Sequence, residues 1–245
     1  MSYVIKYDPK FLADYVIPST QVKKVINRYV QGSDLRPLIL HGTNGVGKSC
    51  LARLLPSAME GRTATFETVA GYEMGELHEV KTLFAGSPMF YNLFSEAGQK
   101  RRYLIINEVN FASKASFAMR DIIERLQEKV QMIFTTNVFE QLDIGIRDRS
   151  TCLHVGTPDA RAWLPRTEAI MRSEGVTVAK DKLLQMLTAQ LQVSASNRKL
   201  LEYLQTFVED VRSKGKGGET DAANEPAVLP PSQHYSPLGP VLQAA

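Results

Sequence analysis

Short apolar runs alternate with segments of helical periodicity along the first 156 residues. Five runs have the length and the apolar or β-branched content of strands buried in a sheet: 37–40, 63–69, 103–106, 132–137 and 152–155. Longer segments, several of them with helical periodicity, separate these runs. The alternation predicts an α/β fold, in which helices cover both faces of a parallel sheet.

The predicted helices are recognised by apolar residues that repeat every three or four positions. Residues 21–31 place one such set on a single face, namely Val22, Val25, Ile26, Tyr29 and Val30. Residues 113–129 are expected to bury Phe117, Ala118, Ile122 and Leu126. A weaker helix is predicted for 74–84. Pro56 is expected to cut short the helix before it, because proline lacks a backbone N–H.

After residue 156 the pattern becomes entirely helical. Helices are predicted at 159–174, interrupted at Pro165, and at 181–193 and 196–211. Together they predict a small all-α domain at 157–212, which follows an α/β domain at 1–156.

The two ends of the chain follow neither pattern. Residues 1–20 are rich in aromatic residues and proline and are interpreted as an extended arm on the α/β domain. The last segment, 213–245, is rich in proline, glycine and small polar residues and is predicted to be disordered.

Composition and charge exclude little. The 29 basic and 26 acidic residues give a net charge of +3, which neither requires nor excludes a nucleic-acid partner. The only cysteines, Cys50 and Cys152, favour a reducing compartment over a disulfide framework. No run approaches the roughly 18 apolar residues of a membrane span. We therefore expect a soluble cytoplasmic protein with no membrane partner.

A phosphate-binding motif follows the first predicted strand. Residues 41–49 read HGTNGVGKS, which fits G-x-x-x-x-G-K-[ST] from Gly42 to Ser49. The glycines allow a tight turn whose N–H groups face a polyphosphate, and Lys48 adds a positive charge for the β- and γ-phosphates. The Ser49 hydroxyl can ligate Mg²⁺. The predicted nucleotide contacts are Gly42, Thr43, Asn44, Gly45, Val46, Gly47, Lys48, Ser49 and Cys50.

A second part of the candidate site lies at the end of the strand at 103–106, where Asn107 and Glu108 follow. A pair of acidic residues at this position usually completes the site: the first supports the Mg²⁺ water shell and the second orients the attacking water. Glu108 fits the second role. Asn107 stands where an aspartate is expected, so the metal site loses a charge but keeps a carbonyl acceptor. Weaker Mg²⁺ binding and slower hydrolysis are expected.

These motifs, in this order, resemble AAA+ ATPases of the clamp-loader type, such as replication factor C and bacterial clamp-loader subunits. The opening KYDPKFLADYVI, the FTTN strand, IRDRS and the helical region from 172 onward all contribute to the resemblance. The resemblance implies an α/β P-loop AAA+ sheet sandwiched by helices, followed by an all-α lid, with ATP and Mg²⁺ as ligands.

The resemblance also implies roles for single residues. Tyr15, Val16 and Ile17 would lie at the adenine. Asn137 matches the sensor-1 residue, which positions water or the γ-phosphate, and Arg198 matches the sensor-2 arginine. Arg149 matches the arginine finger, which is donated in trans to a neighbouring subunit, and Arg147 is its competitor. A finger of this kind implies a homo- or hetero-oligomer of AAA+ subunits.

Three features depart from the clamp-loader pattern. Asn107 replaces an aspartate, and Asp148 stands where clamp loaders have the serine of their SRC motif. Clamp-loader subunits also continue into a helical collar, whereas only the predicted disordered tail follows residue 212 here. We expect a minimal relative that assembles differently, for instance as a ring or as a filament on DNA.

Three functions remain open from the sequence. The first is an ATP-driven clamp-loader-type protein that acts on DNA, with basic residues on two helices as candidate contacts: Lys23, Lys24, Arg28, Lys114, Arg120 and Arg125. The second is a protein-remodelling ATPase, for which Tyr72 is the candidate pore residue. The third is an ATP-gated structural subunit that hydrolyses ATP slowly because of Asn107.

Overall fold

The computed structural model describes residues 1–71, 84, 98–111 and 113–215. These residues form two compact units, of which one spans Ser19–Gly156. The other combines Met1–Pro18 with the chain from Thr157 onward. The predicted helix at 74–84 apart from its last residue, the candidate pore residue Tyr72 and the predicted tail from 216 onward lie outside the described residues.

The first unit is built on a five-stranded parallel sheet, as predicted. Its strands are β1 (Leu38–His41), β2 (Glu67–Ala70), β3 (Arg102–Asn107), β4 (Val130–Thr136) and β5 (Thr151–His154). Their order is β2-β3-β4-β1-β5, and every neighbouring pair is parallel. β2 begins four residues later than predicted. Because all strands run the same way, their carboxyl ends meet at one edge of the sheet.

The described helices are α1 (Tyr3–Lys6), α2 (Thr20–Val30), α3 (Lys48–Glu60), α4 (Ser113–Leu126), α5 (Ile144–Asp148), α6 (Ala160–Ser173), α7 (Lys180–Val193) and α8 (Asn197–Gly215). Two short 3₁₀ helices span Leu12–Asp14 and Phe139–Gln141. In α2, Ser19 accepts a hydrogen bond from the Val22 N–H as the N-cap. Four residues of the predicted apolar face are buried, whereas the fifth, Val30, is partly buried.

The prediction for Pro56 was wrong, because α3 continues through this residue to Glu60. Leu51, Ala52 and Leu55 are fully buried on the same helix, and their burial outweighs the one backbone hydrogen bond that proline removes. The same holds for Pro165, since α6 is continuous from Ala160 to Ser173.

The predicted inner face of α4 was also wrong in part. Phe117 is 64% exposed, whereas the fully buried residues of α4 include Ala115, Met119 and Ile123. The Arg120 guanidinium lies over the Phe117 ring, 4.6 Å from its centroid, and covers part of it in a cation–π contact. The buried face is therefore set by the smaller residues that fit against the sheet.

The second unit is all-α, but it includes the N-terminal residues that were predicted as an arm on the α/β domain. Residues 1–18 begin with helix α1 instead of an extended segment. Tyr3 is buried in one apolar cluster with residues of α6, α7 and α8: Trp163, Leu164, Ile170, Met171, Leu183, Leu187, Leu200, Leu204 and Val208. The N-terminal segment is thus part of the helical unit.

A buried carboxylate ties the N-terminal segment to the helical unit. Glu174, directly after α6, has a side chain that is only 3% exposed. Its carboxylate accepts hydrogen bonds from Lys6 Nζ at 2.6 Å, from the Tyr7 hydroxyl and from Arg212 at 2.8 Å. Burial alone would raise the pKa of Glu174, but the hydrogen bonds from Lys6, Tyr7 and Tyr3 outweigh it and lower the pKa to about 2.

We predict that Glu174→Gln destabilises the protein by about 2–3 kcal/mol, because three donors lose a charged acceptor. The pKa of Glu174 lies below its ordinary value, so its contribution is complete above pH 4.5 and is lost as the pH falls towards 2. The wild-type and variant unfolding curves should therefore converge in acid. Urea unfolding at pH 7 and at pH 3 measures this, and the control is Glu202→Gln, because Glu202 is partly exposed and its ion pair with Lys199 lies at the surface. Equal losses for both variants would contradict the prediction.

Candidate nucleotide-binding site

The phosphate loop connects the end of β1 to the start of α3. Gly47 is the N-cap of α3, with φ of 98°, so the N-terminal end of a 13-residue helix faces the loop. Gly42 has φ of 146° and passes so close to β5 that a Cβ atom there would clash with the Val155 carbonyl oxygen. The loop conformation that the motif predicts is thus enforced by the neighbouring strand.

Lys48 is held inside this loop. Its Nζ donates hydrogen bonds to the carbonyl oxygens of Gly42, at 2.9 Å, and Thr43, at 2.7 Å. The residue is only 8% exposed. Burial lowers the pKa of Lys48, and the negative charge of Glu108 opposes that shift. Two carbonyl acceptors therefore hold the ammonium group within the loop.

The other loop residues divide by exposure. Val46 is fully buried and anchors the loop to the core. Thr43, Asn44 and Ser49 are exposed, and Gly45 and Cys50 are partly buried. Cys50 and Cys152 form no disulfide. Apart from Lys48, the polar side chains of the loop are therefore accessible to solvent.

Asn107 and Glu108 follow at the end of β3. Glu108 is exposed, and its φ of 57° is the only positive φ among the described residues other than glycine. A left-handed backbone at a residue with a side chain costs about 1–2 kcal/mol, so the surrounding structure must hold it. Strain of this kind is concentrated at functional sites.

Thr135 on β4 provides that support. Its hydroxyl accepts a hydrogen bond from the Glu108 N–H at 3.1 Å and donates one to the Asn107 Oδ1 at 3.1 Å. Its carbonyl oxygen accepts the Val109 N–H at 2.9 Å. Thr135 itself is 1% exposed. One buried side chain therefore fixes both residues of the candidate metal and water site.

The residues that would hold Mg²⁺ are Ser49 and Asn107. Their oxygen atoms suit the ion, but we expect them to bind it weakly. Hydroxyl and amide oxygens are suitable ligands for Mg²⁺ or its bound water, but neither carries a charge. One lone pair of the Asn107 oxygen is already taken by Thr135. Among the described residues, no group of three or more histidine, cysteine or acidic side chains could hold a metal ion.

Asn137 follows β4 at the same edge and is exposed. His41, the last residue of β1, pairs in register with Thr136, so Asn137 comes directly after the position beside the phosphate loop. The Thr136 hydroxyl donates to the Val109 carbonyl oxygen at 3.3 Å and accepts the Val138 N–H at 3.1 Å. The turns that carry Glu108 and Asn137 are thereby linked.

An aromatic stack also links this turn to β1. The rings of His41 and Phe139 are stacked with centroids 4.0 Å apart, and the Arg147 guanidinium lies 5.2 Å from the Phe139 centroid. Burial, together with the nearby charges of His154 and Lys48, lowers the pKa of His41, which favours the neutral ring. Neither ring was among the nucleotide contacts predicted from the sequence.

The two candidate finger arginines differ in their surroundings. Arg149 caps the end of α5, where its Nε donates to Glu124 at 2.7 Å and its Nη1 to the Gly145 carbonyl oxygen at 3.0 Å. Arg147 forms an ion pair with Glu140 at 3.2 Å, and its Nε is buried without a hydrogen-bond partner. The Arg149 side chain is 37% exposed, compared with 24% for Arg147.

Val16, Ile17 and Arg198 belong to the helical unit. Tyr15 is buried there, and Val16 packs against the apolar cluster of that unit. Arg198 is exposed in the first turn of α8. Their assignments to adenine and to sensor 2 stay predictions.

Gly71, which the sequence analysis did not identify, also shapes the site. A Cβ atom at Gly71 would clash with the backbone of Asn107 and Glu108. β2 and β3 pair in register so that Ala70 lies beside Asn107. A glycine directly after a strand is the one signal in the sequence that could have indicated this close approach.

Three of the candidate DNA contacts have acidic partners within the α/β unit. Arg120 forms an ion pair with Asp143, Arg125 with Asp121 at 2.9 Å, and Arg28 lies 3.6 Å from Asp34. Within the described ranges, no ion pair involves the remaining three basic residues: Lys23, Lys24 and Lys114. No described helix is long and apolar enough to span a membrane.

Comparisons with known proteins found a family model and several relatives. The family model described as "ATPase family associated with various cellular activities (AAA)" matches residues 38–155. Replication factor C small subunit 2 of Pyrobaculum arsenaticum is 26% identical over 185 residues, which are 73% of this chain and 55% of that protein. DNA polymerase III subunit tau of Escherichia coli is 25% identical over 196 residues, 72% of this chain and 30% of that protein.

The fold has a counterpart among solved structures. A variant of Thermotoga maritima RuvB matches with a TM-score of 0.65 at 16% identity, and the match covers 86% of this chain and 67% of that one. The chain spans about half the length of the replication factor C small subunits that it matches.

Proposed function

We propose that this chain binds and hydrolyses ATP at subunit interfaces to drive assembly or remodelling on DNA. The proposal is supported by the match of residues 38–155 to the AAA family model and by the similarity of the chain to replication factor C small subunits and to DNA polymerase III subunit tau. The observation that carries the proposal is the meeting of the phosphate loop, Glu108 and Asn137 at one edge of the sheet. In this proposal the protein acts in the cytoplasm as an oligomer of AAA+ subunits.

The proposed reaction begins with Lys48. On ATP binding, its ammonium group exchanges the carbonyl oxygens of Gly42 and Thr43 for oxygens of the β- and γ-phosphates. Glu108 orients a water molecule and accepts its proton as the oxygen attacks the γ-phosphorus, and the bond to the β–γ bridging oxygen breaks. Asn137 hydrogen-bonds the water or the γ-phosphate. Bound Mg²⁺, held by Ser49 and Asn107, would neutralise phosphate charge.

The DNA part of the proposal rests on the relatives and on three lysines. Lys23, Lys24 and Lys114 are the candidate contacts for the phosphate backbone, because the arginines of the predicted set have acidic neighbours within the unit. Contacts of this kind give an affinity that does not depend on sequence and that falls as salt rises.

ATP turnover and DNA binding, measured with and without primed duplex DNA at low salt, test the proposal. We expect DNA to stimulate turnover, and the double variant Lys24→Ala/Lys114→Ala to bind DNA more weakly. Its salt dependence should also be shallower, by about one unit of slope for each phosphate-binding lysine removed. Lys199→Ala, which removes a lysine paired with Glu202 in the helical unit, is the matched control. Absence of DNA binding, with or without a non-hydrolysable ATP analogue, would refute this part of the proposal.

A second candidate function is favoured by one observation, the neutral Asn107 at the metal position. In this alternative the protein is a structural subunit that ATP binding switches and that hydrolyses ATP very slowly. A protein-remodelling role without DNA would depend on Tyr72, which is outside the described residues. Wild-type turnover at ordinary rates would exclude the slow structural subunit.

A further inference from the structure

We propose that Thr135 is a positioning residue for ATP hydrolysis, which acts by holding the Glu108 backbone and orienting the Asn107 amide. The inference rests on the proposed function, because it concerns the same reaction. It assigns to Thr135 a role that is exerted through Glu108 and Asn107.

The backbone at Glu108 is strained and needs support. A φ of 57° is unfavourable for glutamate, so a relaxed Glu108 would turn its peptide and move its carboxylate. The Thr135 hydroxyl accepts the Glu108 N–H, and the Thr135 carbonyl oxygen accepts the next N–H along the chain, that of Val109. Gly71 leaves the space that this peptide occupies. The hydroxyl therefore holds the conformation that presents Glu108.

The orientation of the Asn107 amide also depends on Thr135. The single hydroxyl proton of Thr135 is donated to the Asn107 Oδ1, which fixes the amide oxygen on the Thr135 side. The Nδ2 group is then left as the donor end of Asn107. The second lone pair of Oδ1 is the acceptor that Asn107 can offer to a metal-bound water. Without the Thr135 hydroxyl the amide is free to rotate, and the position of this acceptor is no longer fixed.

The burial of Thr135 makes its hydroxyl hard to replace. Thr135 is 1% exposed, so water cannot replace its hydroxyl easily. Loss of this one group would leave a partly buried N–H and an amide oxygen without this partner, which weakens the support of both residues. Partners that orient the residues of a metal site typically change activity by about 10- to 100-fold when they are removed.

The test compares Thr135→Val, which has nearly the same shape but no hydroxyl, with Thr135→Ser, which keeps the hydroxyl. We expect Thr135→Val to lower kcat by about 10- to 100-fold while the Kd for a non-hydrolysable ATP analogue changes less than about twofold. Thr135→Ser should retain kcat within about threefold. The matched control is Thr167→Val in the helical unit, because Thr167 is fully buried and its hydroxyl has no hydrogen-bond partner.

The outcomes separate this inference from the proposed function. If the wild type does not turn over ATP, the proposed hydrolysis fails. If the wild type is active and Thr135→Val retains its kcat, or if Thr135→Ser loses as much as Thr135→Val, the positioning role is refuted. Should Thr135→Val not fold, Thr135→Cys replaces it, since a thiol keeps the volume but is a weak hydrogen-bonding group.

Discussion

Glu108→Gln is expected to lower ATP turnover by about 10²- to 10³-fold and to leave ATP affinity unchanged within about twofold. Glutamine has the same shape and keeps the backbone N–H that Thr135 holds, so only the proton acceptor is lost. Lys48 and the phosphate loop, which bind the phosphates in the proposed site, are untouched. Single-turnover hydrolysis and titration with a fluorescent ATP analogue measure the two quantities separately.

The companion variant for this experiment is Asn107→Asp, which has the opposite expected effect on turnover. An aspartate at this position adds the charge that the metal site lacks and can accept the same hydrogen bond from Thr135. Turnover should rise, and less Mg²⁺ should be needed to reach half-maximal rate. If Glu108→Gln hydrolyses ATP as fast as the wild type, Glu108 is not the residue that activates water.

The position of the phosphate loop between a strand and a helix could be predicted because this part of the fold is local. The spacing from Gly42 to Ser49 determines the turn, and the preceding strand and following helix are its immediate neighbours in sequence. The meeting of Glu108 with Asn137 could also be predicted, since both follow strands of one parallel sheet. Local spacing and the direction of the strands were sufficient for these residues.

Thr135 could not be predicted, because its role depends on the register between β3 and β4. Ile105 lies beside Ile133 and Ile106 lies beside Phe134. Thr135 is the residue after Phe134, and this register brings its hydroxyl to Asn107 and Glu108. A one-residue shift would turn Thr135 to the other face of the sheet. The sequence does not specify this register.

The errors have a related physical origin, since each concerns contacts between distant parts of the chain. Residues 1–18 belong to the helical unit because Lys6 and Tyr7 meet Glu174 and Tyr3 enters its apolar cluster. Phe117 lies on the exposed side of α4, where Arg120 covers part of its ring, and Arg120 forms an ion pair with the distant Asp143. Helical periodicity identifies a helix, but it does not choose between a large exposed ring and small buried residues.

Arg149→Ala is expected to lower turnover by about 10³-fold or more and to be rescued by a partner subunit. An arginine finger stabilises charge on the transferring phosphate, and in the proposed oligomer it is donated to a neighbouring site. In the structure, the partly exposed Arg149 contacts Glu124 and the Gly145 carbonyl oxygen. In the proposed oligomer it exchanges these contacts for a phosphate of the neighbouring site. Nucleotide affinity measured on the isolated variant should change little.

Mixing two inactive variants tests donation in trans. Lys48→Ala subunits lack a working phosphate loop but keep Arg149, and Arg149→Ala subunits have the reverse defect. In an equal mixture about a quarter of the interfaces combine an intact loop with an intact finger, so turnover should recover to roughly that fraction of the wild-type rate. A mixture that stays as inactive as its components would refute a shared site. Rescue of Arg147→Ala by Lys48→Ala, with Arg149→Ala remaining active on its own, would identify Arg147 as the finger, because only the donated arginine needs a neighbour to replace it.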